Sequence, residues 1–431
     1  MYLSVRSTDT LRWSYLNRPS SPPHLSFRDP GYSSATMPAP HRVLRLVAVG
    51  LLLLAPTGAE AIPAFARRYR VSCALCHNPI PRLTAFGDLF AGNGFRFASG
   101  EEPGDTIGTG DPLLALANSV PLAIRLDAYA QSWSGGNVVT DFGAPSIIKL
   151  LSSGALSKTL SYYMYVNLLE RGEFGGFEDA ILIANDVGGA PVDISVGQFQ
   201  ASDPMFKREL RLSFEDYALY RTRIGDERAN LTYDRGLMIN ADVLGFGLAG
   251  MVLNGNGIGP VDSERKFDQD SYKNLLGYLT RDLTSSLRLG GLGYWGRSRS
   301  EGYRNTVTMV GADGSWTAGL FELNVQYIHR EDTNPLFAAN AVRVKSDMGL
   351  AEILIRPAGS RWHGFALYNL VTADRPLLDV GLGGPSDIRR YESATAGLGY
   401  QVRRNLRATG EMMWDFQRER MRWTAGFVTA F

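Results

Sequence analysis

Cysteine is almost missing from this 431-residue chain: two are present, Cys73 and Cys76, so no disulfide framework can be the source of its stability. Net charge is nearly absent too, with 44 Lys and Arg against 43 Asp and Glu. That removes the electrostatic reason to expect nucleic acid as a partner. Beyond the first sixty residues no stretch is apolar enough to cross a bilayer as a helix. The sequence also has no Ser-His-Asp motif, P-loop or dinucleotide fingerprint, so hydrolase and nucleotide-binding readings have no support. What is plentiful is glycine (47), with 19 Tyr and 20 Phe, in a chain that is 45% hydrophobic. The hydrophobic content is that of a folded protein, and the Gly and aromatic bias leans toward β structure.

The N-terminal region reads as an export signal that starts at Met37. Arg42 and Arg45 supply the positive segment, Leu46 to Ala55 the apolar core, and Ala59-Glu60-Ala61 the small-x-small cleavage pattern. The apolar run is about ten residues, against the roughly twenty that a membrane anchor needs. The expectation is a signal peptide over 37–61, cleaved after Ala61, with 1–36 an upstream mis-start.

The two cysteines sit in SCALCHN with His77 directly after the second. C-x-x-C-H suits a c-type haem because two intervening residues put both sulfurs on one helical turn, where each can reach a vinyl group of the porphyrin. His77 then falls under the iron as the proximal axial ligand. A zinc site would want a second ligand pair, which is absent. A thioredoxin-like dithiol would want a preceding buried strand, and AFARRYRV is not one. A plain Cys73–Cys76 disulfide is the remaining alternative.

After the motif, Leu83, Phe86, Leu89 and Phe90 recur at helical spacing, and Pro81 can take the first helical position. The expectation is a helix from Pro81 to about Ala91 whose apolar stripe faces the porphyrin or packs on the rest of the protein. Residues 98–119 form a linker that opens on a Gly, Pro and acid-rich run. The candidate haem segment, 62–97, is too short to fold alone and must lean on the larger region.

From 120 to 431 the chain alternates with a two-residue period between turn signals. Leu122, Ile124, Leu126 and Ala128 oppose Arg125, Asp127, Tyr129 and Gln131; Phe321, Leu323 and Val325 oppose Glu322, Asn324 and Gln326. The same pattern sets Leu237 and Ile239 against Met238 and Asn240, and Met412 and Trp414 against Glu411 and Met413. Charges at mid-strand suit a wet lumen, and Tyr and Trp near strand ends suit an interfacial girdle. About 310 residues at roughly ten per strand predict a transmembrane antiparallel β-barrel of about 16 strands, with 14 or 18 as neighbours. A soluble all-β domain is the alternative. The last strand, MRWTAGFVTAF, ends in Phe431 and resembles the assembly signal of bacterial outer-membrane barrels, apart from Thr429 where that pattern prefers an aromatic.

With PAFARRYRVSCALCHN, the AFG of Ala85 to Gly87 and the barrel pattern in view, the chain resembles the fused monohaem cytochrome-porins of bacterial outer membranes. The resemblance implies haem attachment at Cys73 and Cys76, axial ligation by His77 and electron uptake from an extracellular donor such as ferrous iron. The segment Ser202 to Tyr220 also looks like a family element. Its interleaved charges fit either a lumen-facing ionic network or a solvated loop.

The expected function is electron transfer by one covalent haem c plugging an outer-membrane barrel, from an extracellular donor to a periplasmic carrier. Ferrous-iron oxidase activity would be its enzymatic form. The alternatives are a porin-like channel gated or anchored by the haem segment, and a soluble haem-binding β protein. No His or Met lies between Asn78 and Tyr163, so a sixth ligand must come from farther off: Met205, Met238, Met413, His329 and His363 are the candidates.

Overall fold

Strict alternation gives each strand one face for lipid or solvent and one for an interior, and a sheet built only of such strands has no free edge once it closes. The computed structural model, which describes residues 64–97, 107–111, 114, 120–135, 138–259 and 261–431, closes in this way. The expected signal peptide and most of the linker lie outside the described residues.

Sixteen antiparallel strands form the barrel, each paired with its sequence neighbour, and the first with the last. They are β1 Leu122–Ser134, β2 Val139–Ala155, β3 Leu160–Glu170, β4 Gly176–Ala184, β5 Val192–Gln200, β6 Tyr233–Val243, β7 Phe246–Leu253 and β8 Asn274–Thr284. The circuit continues with β9 Leu287–Ser300, β10 Tyr303–Ala318, β11 Phe321–Asp332, β12 Val344–Ile355, β13 Trp362–Ala373, β14 Arg390–Arg403, β15 Leu406–Asp415 and β16 Arg420–Ala430. β1 meets β16 from Arg125 opposite Ala430 to Ser134 opposite Met421. Phe431 completes the seam: its N–H donates to Ile124 O at 2.9 Å, and its carbonyl accepts from Ile124 N at 2.6 Å.

Side-chain parity follows the alternation. Asn324, Gln326, Asp127 and Glu411 are buried inside, while Leu398, Val310 and Phe142 face out. Trp295, Trp316, Trp362, Trp423 and Tyr327 are exposed on the outside, as an interfacial belt requires.

The interior is less wet than the sequence suggested. The 201–232 connection between β5 and β6 folds inward instead of standing off the barrel. Its Tyr217, Ala218, Leu219 and Tyr220 are at most 1% exposed and share one apolar core with Met238, Met251, Met309, Met348, Leu350 and Val371 of the wall. A two-residue bridge joins Arg223–Ile224 to Leu378–Asp379 of the connection between β13 and β14. The solvated-loop alternative for Ser202 to Tyr220 therefore fails. Arg208 pairs with Asp216, Lys149 with Glu209 at 2.9 Å, and Arg422 with Glu215 at 2.8 Å. Burial alone would raise the Asp216 carboxyl, but Arg208 and Arg211 hold it well below the usual range.

Candidate functional site

Three short helices make up the N-terminal segment: α1 Ala64–Tyr69, α2 Cys73–Cys76 and α3 Ala85–Gly92. Ser72 caps α2 by accepting from Ala74 N at 3.3 Å, so both cysteines lie on a single turn. Both are free thiols, half-buried. Burial raises the Cys73 thiol, with its own helical backbone and the charge of Arg404 opposing. Burial also raises Cys76, and Cys73 adds to it.

His77 follows at the end of this turn. Its Nδ1 lies 2.8 Å from Pro81 O, so that nitrogen is the donor and Nε2 of the neutral ring is left with its lone pair, as a metal ligand would need. Burial pulls the His77 pKa down, with the Pro81 and Arg82 backbone opposing. The resulting neutral imidazole is the form that binds a metal.

α3 begins later than the sequence suggested. Thr84 supplies the N-cap, its hydroxyl accepting from Gly87 N at 3.1 Å and donating to Leu75 O at 2.7 Å. Pro81 lies before the helix, its carbonyl holding His77. The apolar stripe is also rotated from expectation. Leu83, Gly87, Phe90 and Ala91 face the motif, whereas Phe86 and Leu89 are exposed. Gly87 explains the rotation, because a Cβ there would sit 2.3 Å from Cys76 O. Only glycine lets α3 pack this closely on the cysteine turn.

The segment lies inside the barrel at the end that carries the short turns and Phe431. Arg82 reaches Glu322 and Glu352 of the wall, and Glu352 in turn accepts from the Tyr217 hydroxyl at 2.8 Å. On the other side Arg96, 1% exposed, donates to Lys158 O at 2.6 Å and Asp186 at 3.2 Å. Phe95 stacks on Tyr163 of β3 at 4.8 Å between ring centroids.

Between segment, wall and inward loop is a cavity of about 230 Å³ bordered by Cys73, Cys76, His77, Ala64, Phe65 and Phe90. The wall adds Ala123, Leu151, Tyr165 and Val428, and the loop adds Lys207 and Leu210. Lys207 is paired with Asp203 at 3.0 Å. The volume falls just short of the roughly 300 Å³ at which ligand pockets begin, so a porphyrin here requires flexible side chains such as Leu83 and Lys207 to turn aside. The donor set of two thiols and one pre-oriented imidazole, beside an apolar space, has the chemistry that c-type haem attachment needs.

None of the five candidate sixth ligands borders this cavity. Met205 is on the inward loop, where its sulfur accepts from Gln326 Nε2 at 3.1 Å. Met238 is buried in the apolar core. Met413 borders a separate cavity with Arg422 and Tyr391. His329 is paired with Asp347 at 2.8 Å in an exposed position. His363 lies behind His77, in a cleft on the other side of the motif. The chemical signal was side-chain type, and strand parity could not tell which part of a long wall a residue would occupy.

No family model matches the sequence, and no curated protein matches it. Solved structures do match. The chain is similar to an anion-selective porin from Comamonas acidovorans, with 11% identity over 73% of this chain and 99% of that one, TM-score 0.52. It is also similar to the trimer form of in-vitro folded OmpT, an outer membrane protein of Vibrio cholerae, with 12% identity, the same coverage of 73% and 99%, and TM-score 0.51. A third is the outer membrane channel DcaP of Acinetobacter baumannii, with 10% identity over 73% and 97% and TM-score 0.51. These likenesses establish the porin fold of the barrel.

Proposed function

We propose that this chain is a bacterial outer-membrane barrel whose lumen holds one covalent haem c, attached at Cys73 and Cys76 and ligated by His77. In this reading it passes electrons from an extracellular donor such as ferrous iron to a periplasmic carrier. The observation that carries the proposal is a conjunction at one spot. Two free thiols on one turn, an imidazole with Nδ1 already committed and an apolar cavity meet inside the barrel. When bound, the haem supplies a one-electron redox centre. The chain's own residues orient His77 through Pro81, bring α3 against the thiols through Gly87, and fix the segment to the wall through Arg82 and Arg96. Short turns face the periplasm in outer-membrane barrels, which would put the segment on that side of a hydrocarbon layer about 30 Å thick.

The fold likeness favours a second reading over electron transfer: a porin-like channel that the N-terminal segment gates or anchors. Its support is that the similar structures include a porin and a channel. The buried packing of 201–232 across the lumen speaks the other way.

One preparation separates the two. Protein purified from outer membranes is placed in liposomes that enclose an oxidant, with ferrous iron outside, and in planar bilayers. Electron carriage requires iron-dependent reduction of a haem absorbance and loss of the enclosed oxidant, without open-channel conductance. Steady ion conductance with no haem signal would sink the electron-transfer reading and leave the channel.

A further inference from the structure

His77 borders two spaces, the apolar cavity on one side and a second cleft of about 400 Å³ on the other. The floor of this cleft is the motif segment itself, Ala74, His77, Asn78 and Ile80. Its walls come from the turn after β12 and the turn after β14, and they carry Arg356, Arg361, Arg403 and Arg404, with no Asp or Glu among the lining residues. Arg356 is engaged, paired with Glu322 and donating to Asn78 O at 3.0 Å. Arg361, Arg403 and Arg404 are exposed, and among the described residues none of the three enters an ion pair with a carboxylate.

Three bare guanidinium groups around one cleft repel one another until an anion lies between them, and they raise the local concentration of anionic visitors. His363 lines the cleft and is 4% exposed, so it belongs to the fixed wall of the cleft.

We propose that this arginine cleft docks an acidic, Asp- or Glu-bearing segment of a soluble periplasmic protein. This rests on the electron-transfer reading above only for its purpose, which is to bring an acceptor against His77, the residue that borders both the cleft and the apolar cavity. A protein segment fits better than a lipid headgroup because the floor and His363 belong to the lumen side of the turns, while lipid meets the outward face. It fits better than free phosphate because the guanidinium groups are spread over two turns and suit several linked carboxylates.

The test uses the full mature chain in nanodiscs of zwitterionic lipid and fluorescein-labelled hexaglutamate, read by fluorescence anisotropy. The combined variant R361Q/R403Q/R404Q changes only exposed side chains, so folding is spared. Its binding should weaken at least about tenfold, and binding to the unchanged protein should fall steeply between roughly 20 and 200 mM salt. A control variant at the opposite end, R297Q/R299Q/R304Q, should bind as the unchanged protein does. Equal binding by both variants overturns the proposal. So does displacement of the peptide by millimolar inorganic phosphate or by anionic lipid in the disc, which would make the cleft a small-anion or headgroup site. The readout needs no haem: peptide bound by a haem-free protein would sink the electron-transfer reading alone, and a haem-bearing protein that ignores the peptide would sink the cleft alone.

Discussion

From β6 to β13 the barrel wall turns Met238, Met251, Leu276, Met309, Ile328, Leu350 and Val371 inward, whereas from β14 round to β5 it turns Arg422, Glu411, Arg407, Asp127, Lys149 and Glu178 inward. Both arcs obey the same two-residue alternation. They differ in what they demand of the lumen. An apolar arc cannot face water, so the inward loop covers it with Tyr217, Leu219 and Tyr220 and turns half the lumen into a protein core. A polar arc tolerates water and charge, and beside its turn end the N-terminal segment and its cavity find room. The loop also pairs with the polar arc through Glu209 and Glu215, and the segment reaches across to the other arc through Arg82 and Glu322.

The largest effect should come from emptying the apolar arc. Tyr220 is fully buried and its hydroxyl donates to Gln326. Tyr220→Ala should cost about 3–5 kcal/mol and open a passage, so thermal unfolding in detergent should shift down while bilayer conductance rises above that of the unchanged protein. Unaltered conductance would mean that the loop is not the seal.

On the polar side, Asp216→Asn removes a buried partner of Arg208 and Arg211, at a cost of about 3–5 kcal/mol near pH 7. Because the folded carboxyl is depressed, its stabilisation is complete above its unfolded pKa of about 3.9 and disappears as pH falls toward the folded value. The gap in unfolding free energy between the two proteins should therefore be constant from about pH 7 to 5 and narrow below about pH 4. A gap that widened in acid would contradict the assignment of the charge pair.

A smaller effect is expected in the segment that the polar arc shelters. Gly87→Ala forces a Cβ against Cys76 O, costing about 1–3 kcal/mol and spreading α3 away from the cysteine turn. Protease cleavage between 64 and 97 should speed up while the barrel stays intact. The smallest belongs to neither arc. His329 and Asp347 pair on the exposed outer face, and Asp347→Asn should move stability by less than about 1 kcal/mol.

What could be read from the sequence follows from the same contrast. Parity within a strand is a local property, so Phe321 out and Glu322 in, or Met412 out and Met413 in, were legible along with the strand number. The placement of Cys73 and Cys76 on one turn was legible because their spacing is itself the geometry. The fold of Ser202 to Tyr220 was not, since its partners Glu352, Asn369 and Glu411 lie more than a hundred residues away. The face of α3 was mistaken for a related reason. Periodicity marks an apolar stripe, but the side that packs was decided by Gly87, a residue with no side chain to score.

The central claim is a covalent haem on Cys73 and Cys76 within the barrel. It is tested most directly by proteolysis of protein purified from outer membranes and mass measurement of the peptide that contains both cysteines. The account requires that peptide to carry the added mass of one haem, and to lose it in the protein with Cys73→Ala and Cys76→Ala together. An unmodified peptide with two thiols, or one joined only by a disulfide, would contradict it and leave a porin-fold barrel with a helical plug.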